Sequence, residues 1–512
     1  MLAEATEPRT GVPRRQAVAV GALTVVVAAV YSIYSLLRFW AFRTTTYDLV
    51  IFDQAVRSYS RLHLPVAIVK GVHNGFGAHF TVLGDHFSPI LALLAPLYWI
   101  HDGPQTLLVA QSVLLALAIV PLWAFTRRRL GSGPAYCVSA VYALAWPVAE
   151  TLAFDFHEMA FAPVLSMLML ERHEAGRRWQ SAAAAGALLL VKEDMGLLVA
   201  GFGFYLLIRR GERRRAVLLV VAGVFWTWLA SRVLIPAFGG SADYYWAYDA
   251  LGRDLPHAAA GALTHPWTIG KLLVTPHVKV TTMLWLVAPL LLLPLLSPIT
   301  LSVLPLLAER MLSSRFGHWW EPRFHYNVAL IALLVAAGVD GAARLGRLLP
   351  RLRRRLERRE RPGLGQRLRL GRPLPRAERV WPVAALAATL LVVPHFSFAK
   401  FAEPDFYRRD ARARAAAAIL PAVPDGALIE APNGIGPQLS GRTRVLLWDD
   451  RPRWAPWVLA DVAAQDFPFP SVQAQRDRVS LLRREGYSVV RQQDGYVLLN
   501  RPRSVPDLRP AR

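Results

Sequence analysis

Residues 344–379 read RLGRLLPRLRRRLERRERPGLGQRLRLGRPLPRAER, with fourteen arginines and an apolar run on either side. Long apolar segments place a chain in a bilayer, and its Lys/Arg-rich connections stay on the cytoplasmic face. Setting this block inside therefore orients every other loop by counting crossings. Pro350, Pro362, Gly363 and Gly365, with little apolar periodicity, make it a solvated linker, helical near 351–361 and close to anionic lipid.

Composition agrees. The chain has 512 residues, 54% of them hydrophobic, and a net charge of +23 from 59 Lys+Arg against 36 Asp+Glu. Such a charge also suits a nucleic-acid binder, but here the excess sits in short blocks beside apolar segments. Topology accounts for it, and no nucleic-acid partner is expected. The one cysteine, Cys137, rules out an intrachain disulfide, so an exported domain must hold together by packing. Arg14-Arg15 followed by an apolar stretch to Leu37 reads as an uncleaved first span ending in Arg38-Phe39-Trp40.

Spans are expected near 17–38, 105–126, 134–149, 159–171, 180–192, 194–208, 215–235, 279–296, 298–311, 326–345 and 380–398. A helix needs roughly 20 apolar residues to cross, so several are short. Eleven crossings put Arg127–Arg129, Arg172 with Arg177-Arg178, Arg209-Arg210 with Arg213–Arg215, and the 344–379 block on one side. The segment SPILALLAPLYWI (88–100) would break that rule if it crossed. It is expected to lie as a helix on the outer surface, with Tyr98 and Trp99 at the interface. The fold expected is thus an α-helical polytopic membrane protein of the plasma membrane, N-terminus inside. Its core is 1–345 with a long outer loop at 39–87, then the 346–379 linker and a last span at 380–398.

Beyond 399 the pattern changes to short β-type runs: ALIEA (427–431), RVLLWDD (444–450), WVLADV (457–462), YSVVRQ (487–492) and YVLLN (496–500). Helices are expected at 406–420 and 472–485, a C-cap at Gly486 and a hairpin turn at Asp494-Gly495. Residues 399–512 read as a small extracytoplasmic α/β domain.

Candidate chemistry gathers in the outer loops. The first holds Asp48, Asp53, Asp85 and His86. Asp48 and Asp53 are five apart and do not share a helical face, so spacing alone makes no carboxylate pair. Arg57 and Arg61 are ready ion-pair partners. The second loop holds Asp155, His157 and Glu158; on a helix Asp155 and Glu158 share a face. Ionisable groups at a span end are costly unless paired or solvated, and these could bind a divalent cation or relay a proton, or simply see water. Lys192-Glu193-Asp194 interrupts an apolar stretch as a tight outer turn in which Lys192 either pairs with its acidic neighbours or faces a pocket. Arg310, Arg323 and His325 sit at outer span ends, where guanidinium suits a phosphate group and also ordinary interface anchoring. Of 13 histidines only His173 falls in an inner connection. Neither HExxH, P-loop, Rossmann fingerprint nor GxSxG elbow is present.

The strings YDLVIFDQAVRSYS (47–60), GDHFSPILALLAPLYW (84–99), FDFHEMAF (154–161) and LLVKEDMGLL (189–198) resemble the DUF2079 family of bacterial integral membrane proteins over most of residues 20–340. That family is similar, more distantly, to the GT-C superfamily of polytopic glycosyltransferases. The resemblance implies a carboxylate in the first outer loop near the reaction centre, matched by Asp48 with Asp53 as rival, and a second outer-loop acid, Asp155 or Glu158. It implies a juxtamembrane helix at 88–100, an outer soluble domain, and sugar transfer from a polyprenyl-phosphate carrier to an extracytoplasmic acceptor. Asp48, Asp155 and Glu158 are the candidate metal ligands; Asp85, His86, His157, Lys192, Glu193, Asp194, Arg310, Arg323 and His325 the candidate substrate contacts. The chain departs from the superfamily in lacking a DxD or other diagnostic tripeptide. Two other classes compete: a transporter or lipid-carrier flippase, with ionisable groups at mid-membrane beside broken helices, and a non-enzymatic envelope scaffold working through its outer domain.

Overall fold

A computed structural model describes residues 12–241, 246–359 and 377–510. The chain is mostly helical. Among the described residues, five helices are long and apolar enough to cross a bilayer: Arg14–Trp40, Pro104–Leu130, Ser132–Ala153, Arg213–Ala237 and His325–Pro350. A sixth arises if the pair Pro266–Val274 and Val278–Leu290, bent by 75°, is one span. Other expected spans are shorter helices, such as Phe161–Glu174, Arg178–Leu189 and Met195–Leu207. The run expected at 279–296 ends its α-helix at Val287, because Leu291 and Leu292 adopt left-handed φ of 56° and 59°. Half of the linker expected at 346–379, residues 360–376, lies outside the described residues.

Small residues let the helices approach closely. A Cβ on Gly196 would collide with the carbonyl of Gly223, and one on Gly223 with that of Gly196, the small-residue contact that lets membrane helices meet backbone to backbone.

The four arginine-rich connections meet at one end of the bundle. Arg128 binds Glu171 at 2.5 Å, Arg129 binds Glu174 at 2.8 Å and also Asp340, Arg209 binds Glu174, and Arg344 binds Asp340 at 2.7 Å. Gln111, on the same long helix as Arg129, lies 18 residues away, about 27 Å by helix rise, and hydrogen-bonds the 155–157 turn. The candidate chemistry therefore sits at the opposite end from the arginines.

The segment expected as a surface helix at 88–100 is a 3₁₀ helix, Pro89–Trp99, with Pro96 inside it. It packs through Tyr98 against Ile51–Ser60, leaving Leu93 and Trp99 exposed.

All five expected strands form: β1 (Leu428–Ala431), β2 (Arg444–Leu447), β3 (Trp457–Asp461), β4 (Ser488–Gln493) and β5 (Tyr496–Asn500). The sheet order is β2-β1-β3-β5-β4, parallel across β2-β1-β3 and antiparallel across β3-β5-β4. Alternation sorts its two faces. Ile429, Val445, Leu459 and Leu498 join the core that runs through the helix bundle, whereas Val458, Leu499 and Trp448 pack with Leu482 of the helix Val472–Arg484. Asp494 and Gly495 turn the β4–β5 hairpin with φ of 44° and 87°. The helix expected at 406–420 starts later, at Ala411, because the Asp410 carboxylate accepts the Ala413 N–H at 2.7 Å and caps it.

Candidate active site

Two turns at the non-arginine end carry the site. The first follows the Arg14–Trp40 helix: Thr45 is extended, Thr46–Val50 makes one wide π-type turn, and Ile51–Ser60 continues as α-helix. Asp48 lies in the wide turn. The second is 154–157, where the helix Trp146–Ala153 stops and Asp155 takes a left-handed φ of 63°. This corrects the helical face expected for Asp155 and Glu158. Glu158 instead opens a separate 3₁₀ turn, Glu158–Ala160, and the two carboxylates diverge.

Asp155 joins the two turns. One oxygen accepts both the Thr45 N–H and the Thr45 hydroxyl at 2.7 Å, and Arg38 lies 3.8 Å from the other. Burial raises the Asp155 carboxyl above its ordinary range, against the pull of Arg38 and Thr45 and with some help from the Asp48 charge. Gln111 fixes the same turn, donating to the Asp155 carbonyl and accepting the His157 N–H.

Asp48 remains partly open, with 28% of its side chain exposed, and faces His157 Nε2 at 3.6 Å. The His157 ring stacks on His325 at 3.7 Å between centroids, and His325 touches Tyr326 at 4.2 Å. Behind them Lys192 Nζ is 3.8 Å from Glu158, both side chains buried, and lies over the Tyr326 ring at 5.7 Å. Arg310, also buried, donates to Asn327 at 3.2 Å. Several buried polar atoms here have no hydrogen-bond partner among the described residues: both Glu158 oxygens, Nδ1 of His157 and of His325, Nε and Nη2 of Arg310, and one oxygen of Asp194. Buried polar groups are normally satisfied, so such a concentration marks unused binding capacity.

Other expected residues are committed elsewhere. Asp53 is fully buried, held by Arg57 at 2.7 and 3.0 Å and by the Tyr98 hydroxyl at 2.8 Å, while Arg57 also grips Asp102. Its oxygens are thus taken up by an ion pair and a phenol hydrogen bond. Asp85 pairs with Lys70 at 3.0 Å. Glu193 pairs with His86 at 2.8 Å and accepts the Phe87 N–H, so the KED turn fastens the 39–87 loop. Burial and Lys192 push the His86 imidazole down, but Glu193 and Asp85 prevail and hold it above its ordinary range; His86 in turn keeps Glu193 low against burial. Arg323 is exposed, apart from Arg310. The proposed metal trio fails on geometry: Asp48 faces His157, Asp155 faces Thr45 and Glu158 faces Lys192. Among the described residues no three His, Cys, Asp or Glu side chains assemble as a metal site.

Sequence reasoning missed Thr45, Gln111, Tyr326 and Asn327, ordinary residues whose roles arise only when turns distant in sequence meet. It also missed the sheet's role. Asn433, just past β1, accepts the Thr46 N–H on its carbonyl at 2.7 Å and the Tyr47 N–H on its side chain at 3.0 Å, and His73 pairs with Asp449 at 2.9 Å. A small apolar crevice lined by Trp146, Trp285, Ile331 and Thr389 lies among the helices and contains none of these polar groups.

The family model described as predicted membrane protein (DUF2079) matches residues 38–498. No curated protein matches the chain. Among solved structures, ArnT from Cupriavidus metallidurans bound to undecaprenyl phosphate is similar at 15% identity and a TM-score of 0.45, covering 94% of this chain and 98% of that one. The Archaeoglobus fulgidus oligosaccharyltransferase in its apo form is similar at 12% identity and a TM-score of 0.37, covering 86% of this chain and 69% of that one.

Proposed function

Starting from a chain that belongs to the DUF2079 family of membrane proteins, we propose a membrane-embedded glycosyltransferase of the GT-C type. It transfers sugar from a polyprenyl-phosphate carrier to an acceptor outside the cytoplasm. The observation that carries this reading is a partly open carboxylate, Asp48, at a polar cluster that also holds buried Lys192 and Arg310, with Nε and Nη2 of Arg310 unpartnered among the described residues.

The chemistry follows from charge. The acceptor hydroxyl oxygen attacks the anomeric carbon, and the bond from that carbon to the phosphate oxygen breaks. Asp48 takes the hydroxyl proton, with His157 orienting it. The departing polyprenyl phosphate gains one negative charge, which Lys192 and Arg310 are placed to stabilise. Cationic donors aimed at developing charge in a water-poor site are effective catalysts, and a positioned base contributes at least about a hundredfold. In this reading the arginine-rich end faces the cytoplasm, and the sheet lies outside with Asp48.

The transporter reading is less well supported. The broken helix at 288–296 has Asp340 bound to Ser297 at 2.7 Å as its polar neighbour, and Asp340 belongs to the arginine-end network. The test is transfer of radiolabelled sugar from polyprenyl-phosphate donors by protein in nanodiscs. Asp48→Asn is expected to fold normally and lose activity by at least about a hundredfold. Full activity in that variant overturns the mechanism.

A further inference from the structure

In an open sheet with parallel strands, the crevice at their carboxyl ends receives a ligand where neighbouring strands send their connections in opposite directions. Here that point lies between β1 and β3: the chain leaving β1 runs to β2, and the chain leaving β3 runs toward β4 and β5. What occupies it is the protein's own Thr46-Tyr47, the turn that carries Asp48.

The fit is built from both sides. Asn433 follows β1 and accepts both backbone N–H groups of the turn, and the Thr46 hydroxyl also donates to its carbonyl at 2.8 Å. Asn433 is fixed in turn by its own N–H donating to Asp466, beyond β3, at 2.6 Å. Phe467 packs edge-on against Tyr47 at 5.6 Å. Gly436 closes the remaining space, and a Cβ there would fall inside contact distance of the Thr46 hydroxyl.

We infer that the C-terminal domain is a working part of the reaction centre, with Asn433 and Asp466 as positioning residues that hold the Asp48 turn from the sheet side. The inference rests on the proposed role of Asp48, but the clamp itself is a physical contact that can be measured alone. Asp155 grips Thr45 from the membrane side, so the turn is held between two parts of the chain that are almost three hundred residues apart in sequence.

The experiment uses the full chain in nanodiscs with two variants that act differently. Asn433→Ala removes the acceptor for Tyr47; Gly436→Ala adds a methyl that pushes on Thr46. Ser488→Ala, on the exposed edge strand, is the control. Hydrogen–deuterium exchange is read on peptides spanning 43–52 and on the sheet. Both variants are expected to raise exchange at 46–47 by about tenfold, the effect of one hydrogen bond, while exchange in the β-strands stays at wild-type rates. With polyprenyl-phosphate sugar as donor, kcat is expected to fall about tenfold or more with donor KM within about twofold, because base placement and donor binding are separate. Unchanged exchange at 46–47 in both variants overturns the clamp. Raised exchange with unchanged kcat, while Asp48→Asn is inactive, overturns positioning. If the wild-type chain transfers no sugar, the glycosyltransferase reading fails, and the exchange result alone decides the clamp.

Discussion

The Lys192–Glu158 pair offers the sharpest quantitative test. Nζ and Oε1 are 3.8 Å apart with side-chain exposures of 8% and 1%, and neither Glu158 oxygen has a hydrogen-bond partner among the described residues. At an effective dielectric of about 20, two unit charges at that separation attract by about 4 kcal/mol. Removing the Lys192 charge strands Glu158 in a buried site, at a cost of about 3–5 kcal/mol. Lys192→Met should destabilise by that amount, whereas Glu158→Gln should cost less, because Asp194 and Glu193 still face Lys192. The double variant should be less damaged than the sum, because the Glu158 charge is no longer stranded. Equilibrium unfolding of the four proteins in mixed micelles gives the coupling directly. A coupling below about 1 kcal/mol would mean that solvent screens the pair and that the buried reading is wrong. The cycle also separates fold from chemistry: the double variant should recover stability without recovering sugar transfer, since the proposed reaction uses Lys192 at the leaving phosphate.

Other outcomes follow from the same geometry. His86, held above its ordinary pKa, adds stability that is complete below about pH 6.5 and is lost as pH rises through its folded value; Glu193, held low, adds stability that is lost as pH falls through its own. Thermal unfolding against pH should therefore show a plateau between the two, and His86→Gln should remove its alkaline limb. Arg57→Met should cost about 3–5 kcal/mol by stranding the Asp53 carboxylate, measured by unfolding in detergent. In a Cys137→Ser background, a membrane-impermeant maleimide applied from outside should label a cysteine at exposed Arg315 and not one at exposed Arg210; the reverse pattern would invert the orientation. Gly223→Leu should separate the helices Met195–Leu207 and Arg213–Leu229, and loss of protein from the membrane fraction is the readout.

Much of this architecture was legible in the residues. Period-two apolar runs located all five strands, and Asp494-Gly495 specified its hairpin, because both signals are local. The arginine blocks grouped correctly at one end of the bundle. Asp48 stood out by its place after the first span. Harder to read was anything set by meeting at a distance. The helical spacing of Asp155 and Glu158 suggested one face, but Asp155 binds Thr45 and turns the chain left-handed, sending Glu158 toward Lys192. Asp53 was a rival to Asp48 with Arg57 at hand as an ion-pair partner; that pair forms, and the Tyr98 hydroxyl that joins it had no signal in the spacing. Asn433 carries no signal at all, since its function lies in a contact made across the whole fold.

The salt-bridge lattice around Glu171, Glu174 and Asp340 has a mechanical corollary. Guanidinium groups from three connections meet carboxylates of two helices at that extremity, where sliding one helix past another would sever several charged contacts together. In the proposed reaction, an isoprenoid tail reaching Asp48 would enter sideways between helices at the opposite rim, as a page slips into a book bound along one spine.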